Sequence, residues 1–94
     1  MRIQLEFSGV SRLVTGTKAI PLDLEEPATF RDIVRLLGKC YPEMIGNVIQ
    51  PDGETLQRPN IFNVNARRMI QADQMDDSPE DGERIILMSE SAGG

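Results

Sequence analysis

"EDGERIILMSESAGG", residues 80–94, closes the chain and decides how the rest of it is read. Glu80-Asp81-Gly82 is a turn, because Asp hydrogen-bonds its own backbone and Gly supplies a positive φ. After Arg84, the run Ile85-Ile86-Leu87-Met88 is apolar on both faces, which places a strand near 84–88 inside a sheet rather than at its edge. Ser89, Glu90, Ser91 and Ala92 follow with small or polar side chains, and Gly93-Gly94 have none at all. A fraying terminus would end this way. So would a tail whose last carboxylate is the reacting group. Two terminal glycines arise by chance in roughly 0.5% of chains, so their weight comes from the strand before them.

Outward from that strand, "RIQLEF" (2–7) alternates strictly, with Ile3, Leu5 and Phe7 on one face and Arg2, Gln4 and Glu6 on the other, the signature of a half-buried strand. "SGVSRLVTGT" reads as a hairpin loop punctuated by Gly9 and Gly16. "KAIPLDL" puts Ile20, Leu22 and Leu24 on one face, and Pro21, lacking an N–H, assigns that strand to a sheet edge. In "EEPATFRDIVRLLGKCYP", Thr29 and Asp32 form a capping-box pattern and Pro42 ends the helix. Phe30, Ile33, Val34 and Leu37 make its apolar stripe, Cys40 continues it, and Leu36 flanks it; Arg31, Asp32, Arg35 and Lys39 take the wet side. "EMIGNVIQPDGETLQRPN" is an irregular connection with a turn at Pro51-Asp52-Gly53, and "IFNVNARRMI" gives two short strands around a turn at Asn65-Ala66-Arg67-Arg68. The acidic stretch from Gln71 to Glu83 is a loop. The fold class is therefore α+β: a mixed sheet of four to five strands, the first and last pairing centrally, with one helix across one face and the other face open. The domain is expected to run over residues 1–88 and the tail over 89–94.

The inventory excludes much chemistry. With no His and one Cys among 94 residues, neither a Ser-His-Asp nor a Cys-His arrangement can form, nor an ordinary zinc site of Cys and His. Cys40 has no partner for an internal disulfide and is read as a small core residue. Residues 1–70 carry nine Lys/Arg against eight Asp/Glu, whereas residues 71–94 carry seven acids against Arg84 alone. Such an acidic end argues against nucleic acid and against an anionic membrane surface, and suits a basic protein partner or a solvated face. Asp52, Glu54 and Asp81 are turn acids rather than a catalytic pair. No run approaches the ~18 apolar residues of a membrane span and the N-terminus has no signal-peptide block, so a cytoplasmic location is expected.

The order of elements and the diglycine end resemble the ubiquitin-like β-grasp proteins, and among them the MoaD/ThiS sulfur-carrier family. "NIFNVNARRMI" (60–70) is similar to the family's central "NIxVN" hairpin, and residues 80–94 to its turn, last strand and Gly-Gly end. "FSGVSRLVTGTK" is similar to its first hairpin, and "YPEM" follows the helix as it does there. Six residues, Leu87 to Ala92, separate the two isoleucines of the last strand from Gly93-Gly94, the length by which family members project their tails. Two departures stand out: "SES" precedes the small residues of the tail, and the hairpin turn has Ala66-Arg67 where Gly is usual.

The resemblance implies a protein cosubstrate with no catalytic residue and no bound cofactor or metal. A ubiquitin-activating-type (MoeB/ThiF-like) adenylyltransferase would use ATP to convert the Gly94 carboxylate to an acyl-adenylate. Sulfur delivery then gives a thiocarboxylate for a sulfur-accepting synthase, molybdopterin synthesis being the leading destination, with the chain acting as that synthase's small non-catalytic subunit. Cysteine synthesis, tRNA thiolation and isopeptide bonding to target lysines, as in a covalent modifier, are the alternatives. The physical reasoning is separate: a carboxylate is a poor electrophile, AMP a much better leaving group, and glycines without Cβ let the backbone enter a narrow channel. Ordering such a tail is costly, so docking energy must come from elsewhere. With Ile85 and Leu87 facing the helix, Ile86 and Met88 face outward as the docking surface, and Ser89, Glu90, Ser91 and Ala92 join them to the reactive Gly93 and Gly94.

Overall fold

The alternation read at the N-terminus is realised in the structure, a computed structural model that describes residues 1–90: in β1 (Arg2–Phe7), Ile3, Leu5 and Phe7 are buried and Arg2 and Gln4 exposed. Then follow α1 (Val10–Thr15), β2 (Ala19–Asp23), α2 (Phe30–Cys40), β3 (Asn60–Val64), β4 (Arg68–Met69) and β5 (Arg84–Ser89). The five strands lie in the order β2-β1-β5-β3-β4. The β1–β5 pair is parallel and central, as the apolar character of both strands requires, and every other pair is antiparallel. β2 is an edge strand. Ile20 and Leu22 oppose Leu5 and Ile3, and Phe7 N–H donates to Lys18 O, so the even residues of β2 bond inward and Pro21 faces the open edge. A strand with no donor at its middle outward position is a poor template for further pairing.

α2 packs on one sheet face through Phe30, Ile33, Val34 and Leu37, all fully buried. Phe30 meets Phe62 of β3 with ring centroids 6.1 Å apart, and each such buried side chain contributes roughly 1.5–3 kcal/mol. The capping box is formed: Asp32 N–H donates to Thr29 Oγ1 at 3.2 Å and Thr29 N–H to Asp32 Oδ2 at 2.9 Å. Two more of the helix's unpaired donors, Phe30 N–H and Arg31 N–H, reach Asp77 O and Met75 O, so the acidic loop serves as the helix's second cap. Asp76 pairs with Arg31, Asp81 accepts from Arg2 N–H, and Glu83 from Glu80 N–H. Part of the acidic character of this end is thus structural.

Cys40 is exposed, contrary to the core placement read from its spacing. At 100° per residue, position 41 rather than 40 returns to the middle of the Phe30–Val34–Leu37 stripe, and Tyr41 takes it, edge-on to Phe7 at 6.0 Å. The 8–17 segment also differs, since α1 stands where a plain hairpin loop was expected. Six residues give too short a period to recognise, and α1 is anchored by a polar residue: the Ser11 hydroxyl, fully buried, lies 3.0 Å from Ser8 O and 3.1 Å from Leu87 O. The connection after α2 is irregular apart from a 3-10 turn at Pro42–Met44, yet it supplies Met44, Val48 and Ile49 to the core, and the acidic loop supplies Met75. In the β3–β4 hairpin, Asn65 and Ala66 both have positive φ (+55° and +61°), and Arg67 N–H donates to Val64 O at 3.0 Å. The two residues at the turn's centre are therefore Asn65-Ala66, one position before the centre of the expected window, as a primed hairpin turn demands.

Candidate functional site

Register decides what the sheet shows on the face away from α2. In β5 the side chains of Ile85 and Leu87 are buried under the helix, while Ile86 and Met88 point to the opposite face and are partly exposed, as alternation requires. Ile86 lies between Glu6 of β1 and Asn63 of β3, and Met88 lies opposite Ile61. Asn63 in turn opposes Met69 of β4. The outer face is consequently divided. Its β1–β2 half is charged, with Arg2 bidentate on Asp23 at 2.8 and 3.0 Å, and Arg84 of β5 bidentate on Glu6. Those bonds hold the Asp23 carboxyl below its ordinary range, and the Glu6 bond raises the Arg84 guanidinium above its own. The β5–β3–β4 half is apolar: Ile61, Met69, Ile86 and Met88 surround Asn63.

The tail leaves from the end of β5, and its base is fixed on both sides. Leu87 O accepts from Ser8 N–H at 3.0 Å and from the Ser11 hydroxyl. Glu90 N–H donates to Pro59 O at 2.7 Å, so the chain is still tied to the β3 side at residue 90. Gly9, at φ +68°, brings its backbone beside Ser89; a Cβ there would sit 3.8 Å from the Ser89 Cβ. Ser89, read as spacer, is the last residue of β5. Ser91, Ala92, Gly93 and Gly94 lie outside the described residues.

Of the residues singled out from the sequence, Ile86, Met88, Ser89 and Glu90 are thus brought together along one strand end. Sequence reasoning missed Ile61, Met69 and Asn63, although the two-residue period of "NIFNVN" places Ile61 and Asn63 opposite Asn60, Phe62 and Val64. It also missed α1, which carries Leu13, 83% exposed, and the exposed Val10 beside the tail base. A groove of about 230 Å³ next to Glu90, lined by Leu56, Arg58, Pro59, Ile61 and Met75 among others, is smaller than the ~300–1,000 Å³ of ordinary small-molecule sites. Among the described residues no three His, Cys, Asp or Glu side chains gather to hold a metal, and no helix is long and apolar enough to cross a membrane. The arrangement sets residues 89 and 90, at the end of β5, beside the apolar half of the outer face.

Known proteins share this fold. No protein-family profile matches the chain. It is 31% identical over 94 residues, the whole of both chains, to small archaeal modifier protein 3 of Haloferax volcanii. Among solved structures, SAMP1 of Haloferax volcanii superposes with a TM-score of 0.79 at 19% identity, covering 100% of both chains. The putative molybdopterin converting factor subunit 1 of Pyrococcus furiosus gives 0.74 at 16% identity, over 96% of this chain and 98% of that one. CysO of Amycolatopsis orientalis, solved in complex with BexX, gives 0.69 at 18%, over 98% and 99%.

Proposed function

This chain belongs to the ubiquitin-like β-grasp family of small archaeal modifier proteins and their sulfur-carrier relatives, and from that premise we propose that it is a protein cosubstrate activated at Gly94. An adenylating enzyme of the ubiquitin-activating type docks on the apolar half of the outer face, and the Gly94 carboxylate attacks the α-phosphorus of ATP, releasing pyrophosphate and leaving an acyl-adenylate. Hydrosulfide then displaces AMP, and the resulting thiocarboxylate passes sulfur to a synthase, with molybdopterin synthesis as the first candidate. The observation that carries this reading is the junction at residues 86–90, where a partly exposed Ile86–Met88 pair runs directly into a tail base fixed by Leu87 O and Glu90 N–H. The chain itself supplies contact surface and electrophile, and catalysis belongs to the partner.

A second reading is favoured by the name of the 31% identical relative, a modifier protein. In it, a lysine amine of a target protein displaces AMP and an isopeptide bond forms. Intact mass after incubation with ATP, a sulfur source and the activating enzyme separates the two. Exchange of one terminal oxygen for sulfur supports the carrier, and adducts on lysines of other proteins support the modifier. If a chain lacking Gly93-Gly94 is as active as the full chain, both readings are refuted.

A further inference from the structure

Asn63 is the anomaly of the outer face. It sits at the centre of the apolar half, in register with Ile86 on one side and Met69 on the other, with Ile61 and Met88 in the next row. Its carboxamide has no nitrogen or oxygen partner among the described residues. Among the described residues its Oδ1 is a buried side-chain oxygen without a hydrogen bond, and its Nδ2 reaches only the Met88 thioether, a weak acceptor, at 3.9 Å. A buried polar atom left unpaired destabilises the free protein, and an apolar side chain of the same shape would have fitted this neighbourhood. The carboxamide can turn: the terminal torsion of Asn is broad and roughly two-fold, and Met88, against its Nδ2, is a flexible, unbranched side chain.

We propose that Asn63 is the polar anchor by which the activating enzyme recognises this face: the enzyme seats an apolar surface over Ile61, Ile86 and Met88 and directs one N–H or O–H donor at Asn63 Oδ1. The proposal rests on the docking reading above and adds the partner's chemistry. A purely greasy surface would leave the carboxamide unpaired in a dry interface, which selects against it. A donor at that point turns a local defect of the free chain into a contact made only in the complex.

The test is ATP–pyrophosphate exchange by the ubiquitin-activating-type enzyme of the same genome, with the full chain as substrate, together with urea unfolding of each variant. For Asn63→Leu the urea midpoint stays or rises, while KM for the chain rises about three- to tenfold, the size of one neutral hydrogen bond, with kcat unchanged. Asn63→Asp, which keeps the acceptor, holds KM near the parent value. A stability loss in Asn63→Leu that accounts for the weaker exchange overturns the proposal, as does a KM equal to the parent's. Ile86→Lys is the control on the docking reading; position 86 is partly exposed, so the lysine ammonium reaches water in the free chain while placing a charge in any apolar interface. If Ile86→Lys abolishes exchange and Asn63→Leu does not alter it, only the role of Asn63 falls. If Ile86→Lys leaves exchange intact, the docking face itself is wrong and Asn63 falls with it.

Discussion

Replacing Ala66 by Gly should stabilise this protein. Ala66 occupies the second central position of the β3–β4 turn at φ +61°, following Asn65 at +55°. In that region Cβ crowds the following carbonyl, at a cost of about 1–2 kcal/mol for an ordinary L-residue. Ala66 is exposed, so glycine removes no packing. Glycine gives back roughly 0.4–1 kcal/mol through the greater freedom of the unfolded chain. The net gain is about 0–1.6 kcal/mol, centred near 0.8, and the central value corresponds to about 3–6 °C in Tm for a domain of this size. Asn65→Gly is the internal comparison. It relieves the same kind of φ but removes the Asn65 Oδ1 acceptor that holds Arg84 N–H at 3.1 Å at the start of β5, so it should be the less stable of the two. Urea unfolding with a common slope and thermal unfolding by circular dichroism would measure both. A lowered midpoint for Ala66→Gly would show that the turn does not hold residue 66 in the left-handed region, and the account of the hairpin would fail with it.

Three further outcomes follow from the same geometry. Ser11→Ala removes a buried hydroxyl while Leu87 O keeps its bond from Ser8 N–H; it should cost about 0.5–1.5 kcal/mol and speed amide exchange in α1, read by hydrogen-exchange mass spectrometry. Pro21→Val places a donor at the outward-facing middle of the edge strand β2, and should produce concentration-dependent association in size-exclusion chromatography that the parent lacks. In acid, the Asp32 carboxyl is held below the usual range, first by the backbone N–H of Thr29. A depressed folded pKa contributes stability above the unfolded value of about 3.9 and loses it as pH falls through the folded one. Stability should therefore decline from about pH 5 downward, and Asp32→Asn should flatten that decline; an identical acid slope in the variant would remove Asp32 from the explanation.

How much of this was legible differs by element, and the reasons are physical. β1, β2, α2 and β5 carry periodic signals over five residues or more, and their faces were read correctly down to the outward pair Ile86 and Met88. α1 was missed because its six residues are held by the Ser11 hydroxyl rather than by an apolar stripe, and a hydroxyl buried against Leu87, 76 residues away, leaves no local trace. Cys40 was misplaced by a single helical step because Tyr41, the last residue before Pro42, takes the stripe position. Met44, Val48 and Ile49 sit in a segment whose Gly, Pro and Asp content reads as solvent-exposed loop, and their burial is a tertiary fact. On the site, the strand end was legible and the rest of the surface was not, because Met69 and Asn63 become neighbours of Ile86 only through a strand register fixed by a turn and a sheet order.

The position of the tail within the sheet bears on what can react with it. β5 is the middle strand, bonded to β1 on one side and β3 on the other, and its pairing continues beyond the strand through Ser8 N–H to Leu87 O and Glu90 N–H to Pro59 O. A load on the chain end is therefore borne across two ladders, whereas a tail on an edge strand such as β2 or β4 could peel its strand away. The same bonds fix residue 90 relative to Ile86 and Met88. Gly94 lies four residues beyond Glu90, and at ~3.3–3.6 Å each those steps reach at most about 14 Å. Any enzyme that adenylates Gly94 must thus hold its nucleotide within about that distance of Glu90 while touching the outer face, or forgo the face altogether. Short reach couples recognition to chemistry. Lengthening the spacer by inserting residues after Glu90 should uncouple them, leaving docking on Ile86 and Met88 intact while acyl-adenylate formation slows.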